Sequence, residues 1–302
     1  MKKKISVILL FAIFSMPLLS APPDYTEEVP TKKKRRKQNT QRSISSKSSS
    51  KITKKNGHSS WTFEGVIESV DVESFSKNDN ASFYKMNLYY RPQSDLYLKL
   101  GYYFGLADSL NLNESQSKKG NLDFRFVANW LSWSNGSFNS KLDLFGGVSL
   151  KETNSNFGSS RTDKIVGFET SRNFSNLIFS LGHEYHMTGK PSNQGELAIG
   201  DIRKYYGVLG WKVTSDINFA LEAVHYEVAS TSKASYSLKN KVSSGHLSPW
   251  LFLNLSKKFD FILGAVFRTN KIREEEKLRK ARLWSYQGLY GNSVFTKINL
   301  NI

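Results

Sequence analysis

From residue 60 onward the chain repeats one unit: a segment in which apolar and polar residues alternate, then a connection, with the connections alternating between long and short. Successive side chains of a strand point to opposite faces, so each segment reads as a strand with one apolar face and one mostly polar face. In the last segment Val294, Thr296, Ile298, Leu300 and Ile302 fall on one face. Ser293, Phe295, Lys297, Asn299 and Asn301 fall on the other. A strand that runs to the final residue leaves an unpaired edge unless another strand covers it. The simplest cover is the first strand, with the sheet closed into a barrel.

Twelve segments can be read in this way. Their apolar faces begin at Trp61, Tyr84, Leu96, Leu122, Leu142, Val166, Leu177, Tyr205, Ile217, Leu247, Phe259 and Val294. In the fourth, Leu122, Phe124, Phe126, Ala128 and Trp130 oppose Asp123, Arg125, Val127, Asn129 and Leu131. Short turns such as Arg91-Pro92-Gln93-Ser94 follow the even segments, and Ser134-Asn135-Gly136-Ser137 carries the Asn-Gly hairpin signal. Long polar loops follow the odd ones. A soluble sandwich has no reason to sort loop lengths by parity, whereas a membrane barrel does so, with tight turns on one rim, longer loops on the other and an even number of strands. Segments of about 9 to 14 residues cross a bilayer when tilted, against about five or six residues for soluble strands. Aromatics sit toward segment ends, at Trp61, Tyr84, Tyr90, Tyr102, Trp130, Tyr185, Tyr205 and Trp211, as interfacial girdles do.

On these residues, 60–302 resembles a bacterial outer-membrane β-barrel protein of the twelve-stranded, porin-like size class. The resemblance implies an all-β fold, a closed antiparallel 12-stranded transmembrane β-barrel occupying residues 59–302. Many family members end in an aromatic residue; this chain ends in Ile302. Barrels of this kind host channels, adhesins, lipid hydrolases and secretion pores, so the fold does not fix the activity.

The N-terminus reads differently. Lys2, Lys3 and Lys4 precede the apolar run Ile5 to Phe14, and Leu19-Ser20-Ala21 offers a cleavage site, the pattern of a secretory signal peptide over 1–21. Residues 22–58 hold eleven Lys or Arg against three acids and almost nothing apolar, which reads as a disordered, basic Ser/Lys-rich periplasmic tail. Much of the formal net charge of +17 therefore lies outside the barrel, and total charge is no argument for nucleic-acid binding. The tail is either a tether to an anionic periplasmic polymer or a solvated spacer. The chain has no cysteine, which excludes a lipoprotein anchor at the cleavage site.

With the apolar faces on lipid, the polar faces line the lumen. The acids assigned there are Glu64, Glu68, Asp95, Asp123, Asp143, Glu169, Glu184, Glu222 and Asp260. The bases are Lys85, Lys99, Arg125, Lys141, Lys204, Lys212, Arg268 and Lys297, so the interior is nearly charge-balanced. A barrel of this strand number is roughly 24 Å across its backbone. Inward Tyr97, Tyr103, Phe145, Trp250 and Phe252 take up much of that width, leaving a narrow polar channel or a largely filled interior. The loop rim is basic, with Lys118, Lys119, Arg273, Lys277, Arg279 and Lys280 as candidates to meet the phosphates of outer-membrane lipid and lipopolysaccharide. Arg273 to Arg282 has the Glu–Lys/Arg spacing of a short external helix.

Neither a metal-ligand spacing nor a Gly-rich phosphate loop is present, and no cofactor is implied. His246-Leu247-Ser248 has the His-x-Ser step of outer-membrane lipid hydrolases, which puts base and nucleophile on one face. The Asn-Gly that would follow it is missing. The sequence thus points to a non-enzymatic outer-membrane barrel, first a passive narrow channel for small polar solutes. The alternatives are a structural or surface-interaction barrel with a filled lumen and a lipid hydrolase.

Overall fold

The computed structural model describes residues 59–302 except 73–78, 94, 108–117, 136–137, 154, 233 and 273–274. The segments expected to be a signal peptide (1–21) and a basic tail (22–58), and Arg273, lie outside the described residues.

Twelve antiparallel strands close on themselves. They are β1 (Ser60–Val72), β2 (Asp79–Gln93), β3 (Leu96–Ala107), β4 (Lys119–Asn135), β5 (Phe138–Leu150) and β6 (Asp163–Phe174). The second half comprises β7 (Leu177–Met187), β8 (Ile202–Lys212), β9 (Ile217–Val228), β10 (Val242–Ser256), β11 (Phe259–Arg268) and β12 (Gly291–Asn301). The only helix among the described residues is α1 (Glu275–Arg279), between β11 and β12. Every strand pairs with its sequence neighbours, and β12 pairs with β1 from Thr62↔Asn301 to Val72↔Gly291. Backbone bonds between Trp61 and Ile302 extend this seam to the last residue. Both edges are thereby removed.

The barrel is apolar outside and mixed inside. On β9 the outward residues Phe219 and Leu221 are exposed, while the inward Ala220 and Val224 are buried. Around the wall Phe124, Phe126, Leu209, Leu263 and Phe168 share that outward exposure. A contiguous apolar belt of this extent is far beyond what a soluble surface tolerates and is the solvent-matching face of a transmembrane barrel. Trp61 stacks on Tyr90 with 4.3 Å between centroids, and with the exposed Trp130, Trp133 and Trp211 marks the short-turn end of the belt. Tyr84 on Phe104, and His183 on Tyr205, mark the long-loop end.

One assignment of side chains is corrected. Leu131 does not face inward. The β4–β5 register slips between Asn129 and Leu131, so that Asn129 pairs with Asp143 and Leu131 with Leu142. The extra residue is Trp130, and beyond this bulge Leu131 and Trp133 join Trp130 on the outer face.

Leu221, near the middle of outward β9, tests the belt. Leu221→Arg is expected to cost about 2–4 kcal/mol of barrel stability in a lipid bilayer, the penalty for a cation at the hydrocarbon midplane. The change Glu222→Gln, one residue away on the lumen side, should cost much less. Urea-midpoint shifts in vesicles compare the two, and equal costs would contradict the inside-out arrangement.

Candidate functional site

The lumen is divided by an inward-folded plug. The connections 151–162, 188–201, 229–241 and 269–290, all at the long-loop end, turn into the barrel and meet in one apolar core. Phe157, Leu197, Ile199, Leu238, Leu278, Leu283, Trp284, Leu289 and Tyr290 are buried there. They pack against inward residues at the strand ends: Val70, Val72, Ala81, Phe83, Tyr103, Ile202, Val228 and Val242. The inward face of the barrel therefore changes from polar to apolar where it meets the plug. Phe83, Phe157 and Trp284 form a triangle of rings with centroids 5.5 to 5.8 Å apart, and Tyr290 lies 4.4 Å from Trp284. Each such side chain, once buried, contributes about 1.5–3 kcal/mol. Helix α1 forms within the segment whose charge spacing suggests it, and its Leu278 and the following Ala281 are fully buried on this core.

Polar contacts fix the loops to one another. Leu197 N–H donates to the Lys280 carbonyl at 2.9 Å, and Leu238 N–H to the Ala198 carbonyl at 2.8 Å. Arg161, 2% exposed, is the centre. Its Nε reaches both Asp163 oxygens at 3.1 Å, and its NH1 reaches Glu196 at 3.3 Å and the Ala281 carbonyl at 2.7 Å. One guanidinium thus ties three loops to β6. Burial pushes the Glu196 carboxyl above its ordinary value, against the pull of the Ser160 N–H and Arg161.

Below the plug, two carboxylates join it to the wall. Glu68 accepts from Lys85 at 2.9 Å, Ser293 at 2.8 Å and the plug residue Gln287 at 3.2 Å. Glu184 accepts from Arg125 of β4 at 3.1 Å and Lys204 of β8 at 3.3 Å. Its other neighbour, His186, lies at 3.1 Å and in turn meets the Tyr286 hydroxyl at 2.9 Å. The Arg125 contact spans three strands, so it crosses the lumen rather than running along the wall. A cavity of about 100 Å³ lies between plug and wall, bordered by Asp123, Arg125, Glu184 and Lys204 from strands and by Arg161, Arg282 and Tyr286 from loops. Asp123 Oδ1 faces no partner among the described residues.

The other lumen candidates are spread along the passage. Glu64 accepts from Asn87 and Tyr89, and Lys99 sits 5.3 Å from the Tyr89 ring centroid. Lys141 pairs with Asp143 at 2.6 Å, and Glu169 accepts from Tyr206 at 3.0 Å. The Tyr206 ring lies flat against the wall because position 182 is glycine: a Cβ there would come within 2.1 Å of the ring. Lys297 covers Phe295, in an apolar sector with Val66, Ile262, Val266, Trp250 and Phe252 that narrows one side of the lumen. Glu222 is half-buried on inward β9. Arg268, at the long-loop end of β11, donates to the Leu289 carbonyl of the plug. Lys212 and Asp260 lie at the short-turn end of their strands, where Lys212 N–H donates to the Asn176 carbonyl. Asp95 is not in the wall: it is exposed in the turn between β2 and β3, because the strand begins only at Leu96.

On the rim, Lys118, Lys119, Lys277 and Lys280 are exposed and Arg279 is half-buried. Lys280, directly after α1, lies 5.7 Å from the Tyr236 ring and so presents its cation from the plug itself.

The His-x-Ser step does not assemble a nucleophile. Ser248 Oγ donates to the Ala265 carbonyl at 2.9 Å. His246 is packed beside the Tyr226 ring and beneath Gly288. Gly288 has φ +70°, and any Cβ there would meet His246 at 2.8 Å, so both backbone and space demand glycine. Among the described residues no group of three or more His, Asp or Glu has the spacing of a metal site.

Fold and site together define a class: a twelve-stranded transmembrane barrel of the bacterial outer-membrane type, with its long loops folded inward as a plug. A solved structure shares the barrel fold. An outer-membrane channel from Pseudomonas putida F1 matches with a TM-score of 0.59 over 82% of this chain and 96% of that chain, at 8% identity. The NanC porin matches with a TM-score of 0.47 at 12% identity, covering 80% of this chain and 98% of that one. The KdgM porin matches with 0.46 at 9%, covering 79% and 98%. At these identities the first likeness shows a shared fold. No protein-family model matches the chain, and no curated protein sequence does.

Proposed function

We propose that this protein is a passive, narrow channel for small polar solutes in the bacterial outer membrane, with no catalytic activity. Its long loops face outward and its short turns face the periplasm, as barrels of this class are oriented. The observation that carries the reading is the charged gap between plug and wall, bordered by Glu184 with Arg125 and Lys204 on its two oxygens and by Asp123. A gap of about 100 Å³ admits only small solutes. Its nearly balanced charge favours neither ion sign strongly. The Pseudomonas putida protein of like fold is described as a channel, which supports the same use of this barrel. The Lys and Arg of the basic segment 22–58 suit an anionic periplasmic polymer as a partner.

Single-channel recording of the full chain in planar bilayers tests the reading. The expected result is a small, weakly selective conductance; a protein silent at every voltage and salt concentration would remove the channel. Glu184→Gln should leave Arg125 and Lys204 without their carboxylate and raise the chloride-to-potassium permeability ratio several-fold, by reversal potential in a salt gradient. An unchanged ratio would place the ion path away from this gap.

A further inference from the structure

The lipid-facing wall is chemically uneven at its long-loop end. On alternate strands of one side, Lys164 opens outward β6, Arg203 opens outward β8, and Lys241 immediately precedes β10. All three are exposed, and all lie just beyond the apolar belt. Adjacent strands are about 4.8 Å apart, so these cations are spaced roughly 10 Å around the wall. Below them runs a row of outward rings in register across four strands: Phe168, His183, Tyr205 and His225. Their centroids are 6.0, 4.7 and 6.4 Å apart in turn. His225 Nε2 also meets the Ser243 hydroxyl at 3.1 Å on the same face. Two carboxylates border this patch, and both are engaged: Glu227 by Lys241 at 2.7 Å, and Asp201 by the Tyr185 hydroxyl and the Thr188 N–H. Arg203 lies 5.9 Å from the Tyr185 ring, held flat along the wall. On the opposite side, the exposed outward strand positions at the same end among the described residues are Asp71 on β1, Asn80 on β2 and Asn292 on β12, none of them a cation.

We infer that the β6–β10 wall is a binding site for a phosphate-bearing lipid of the adjoining leaflet. The ring row would lie against its apolar and sugar-like portion, and Lys164, Arg203 and Lys241 would hold its headgroup phosphates. The cations sit where headgroups begin, above rings that mark the interface and beside a belt that only acyl chains can cover. Arginine and lysine there meet phosphate through charge-assisted hydrogen bonds. The site differs from the rim cations Lys118, Lys277 and Lys280, because Lys164 and Arg203 open wall strands and Lys241 directly adjoins one, whereas those three lie outside the strands. It requires that the barrel span a membrane, but not that it conduct.

The test uses the full chain in neutral detergent, titrated with lipopolysaccharide or with phosphatidylcholine and read by native mass spectrometry. Lipopolysaccharide should be retained and phosphatidylcholine released. The triple change Lys164→Ala, Arg203→Ala, Lys241→Ala should weaken retention on the order of a hundredfold, about fivefold per cation. A control triple, Lys118→Ala, Lys277→Ala, Lys280→Ala, should weaken it far less. Heat-modified gel migration confirms that each variant is a folded barrel. Displacement of the lipid by millimolar inorganic phosphate would indicate a free-anion site and overturn the inference. So would equal retention by wild type and the wall variant, or a larger loss in the rim control. Conductance of the wall variant should match wild type, which separates failure here from failure of the channel reading.

Discussion

Arg161→Met should unseat the plug and raise single-channel conductance several-fold. The guanidinium is almost wholly buried and is shared among Asp163, Glu196 and the Ala281 carbonyl, so it joins β6 to three loops at once. Methionine keeps most of the apolar stem but takes the guanidinium from Asp163 and leaves Glu196 with only Arg282, at 4.0 Å. Removing one member of a buried ion pair costs about 3–5 kcal/mol, because the remaining charge stays desolvated. That is enough to shift a loop assembly held by one modest core. Arg161→Lys should not restore closure, since a point charge cannot serve the Asp163 carboxylate and Glu196 with the same fork. Adding Glu196→Gln to Arg161→Met should restore part of it by removing the uncompensated charge. The sign of the pH response follows from Glu196. Its carboxyl is already pushed up by burial, so the seated plug binds a proton more tightly than the released one. Without Arg161 to oppose that push, seating should strengthen as pH falls, and conductance of Arg161→Met should decline toward acid pH. A variant that conducts like wild type, or that opens further in acid, would show that the plug is held elsewhere.

The barrel was legible because a membrane imposes period-two alternation on every strand and a length rule on every connection. Phe219 and Leu221 against Ala220 and Glu222 state the inside and outside of β9 directly. Leu131 was not legible, because a bulge changes the parity of a strand without changing its composition. The plug was the larger gap. Its contacts join residues far apart in sequence, such as Arg161 with Ala281 or Phe83 with Trp284. Alternation carries no information about such pairs. Two local signals were nevertheless present. The segment 281–290 carries Leu283, Trp284, Tyr286, Leu289 and Tyr290, which a solvated loop has no use for. The inward positions Val70, Val72, Ala81 and Phe83 break the polar face where a lumen meets water but fit where it meets an apolar cap. Among the site residues, Glu184, Arg125 and Lys204 could be placed on the inner face from alternation, but their meeting across three strands depends on barrel closure.

Trp284→Ala tests the apolar half of the closure independently of its charges. The indole is buried among Phe83, Phe157 and Tyr290, and truncation leaves a cavity that the two loop rings and the wall-bound Phe83 cannot jointly refill. Such truncations cost about 3–5 kcal/mol when the surroundings relax little. The barrel wall does not depend on this side chain, because its strands are joined by a complete hydrogen-bonded ring. The loss should therefore appear as local opening rather than global unfolding. Protease cleavage within 269–290 should accelerate, and conductance should rise at every pH alike, in contrast to Arg161→Met. Trp284→Phe should retain most of the closure, since it keeps a ring and Trp284 Nε1 has no hydrogen-bond partner among the described residues. Cleavage at the wild-type rate in Trp284→Ala would mean that the ion pairs alone hold the plug. A fall in the denaturation midpoint of the whole barrel, with no selective cleavage, would mean that plug and wall unfold as one unit.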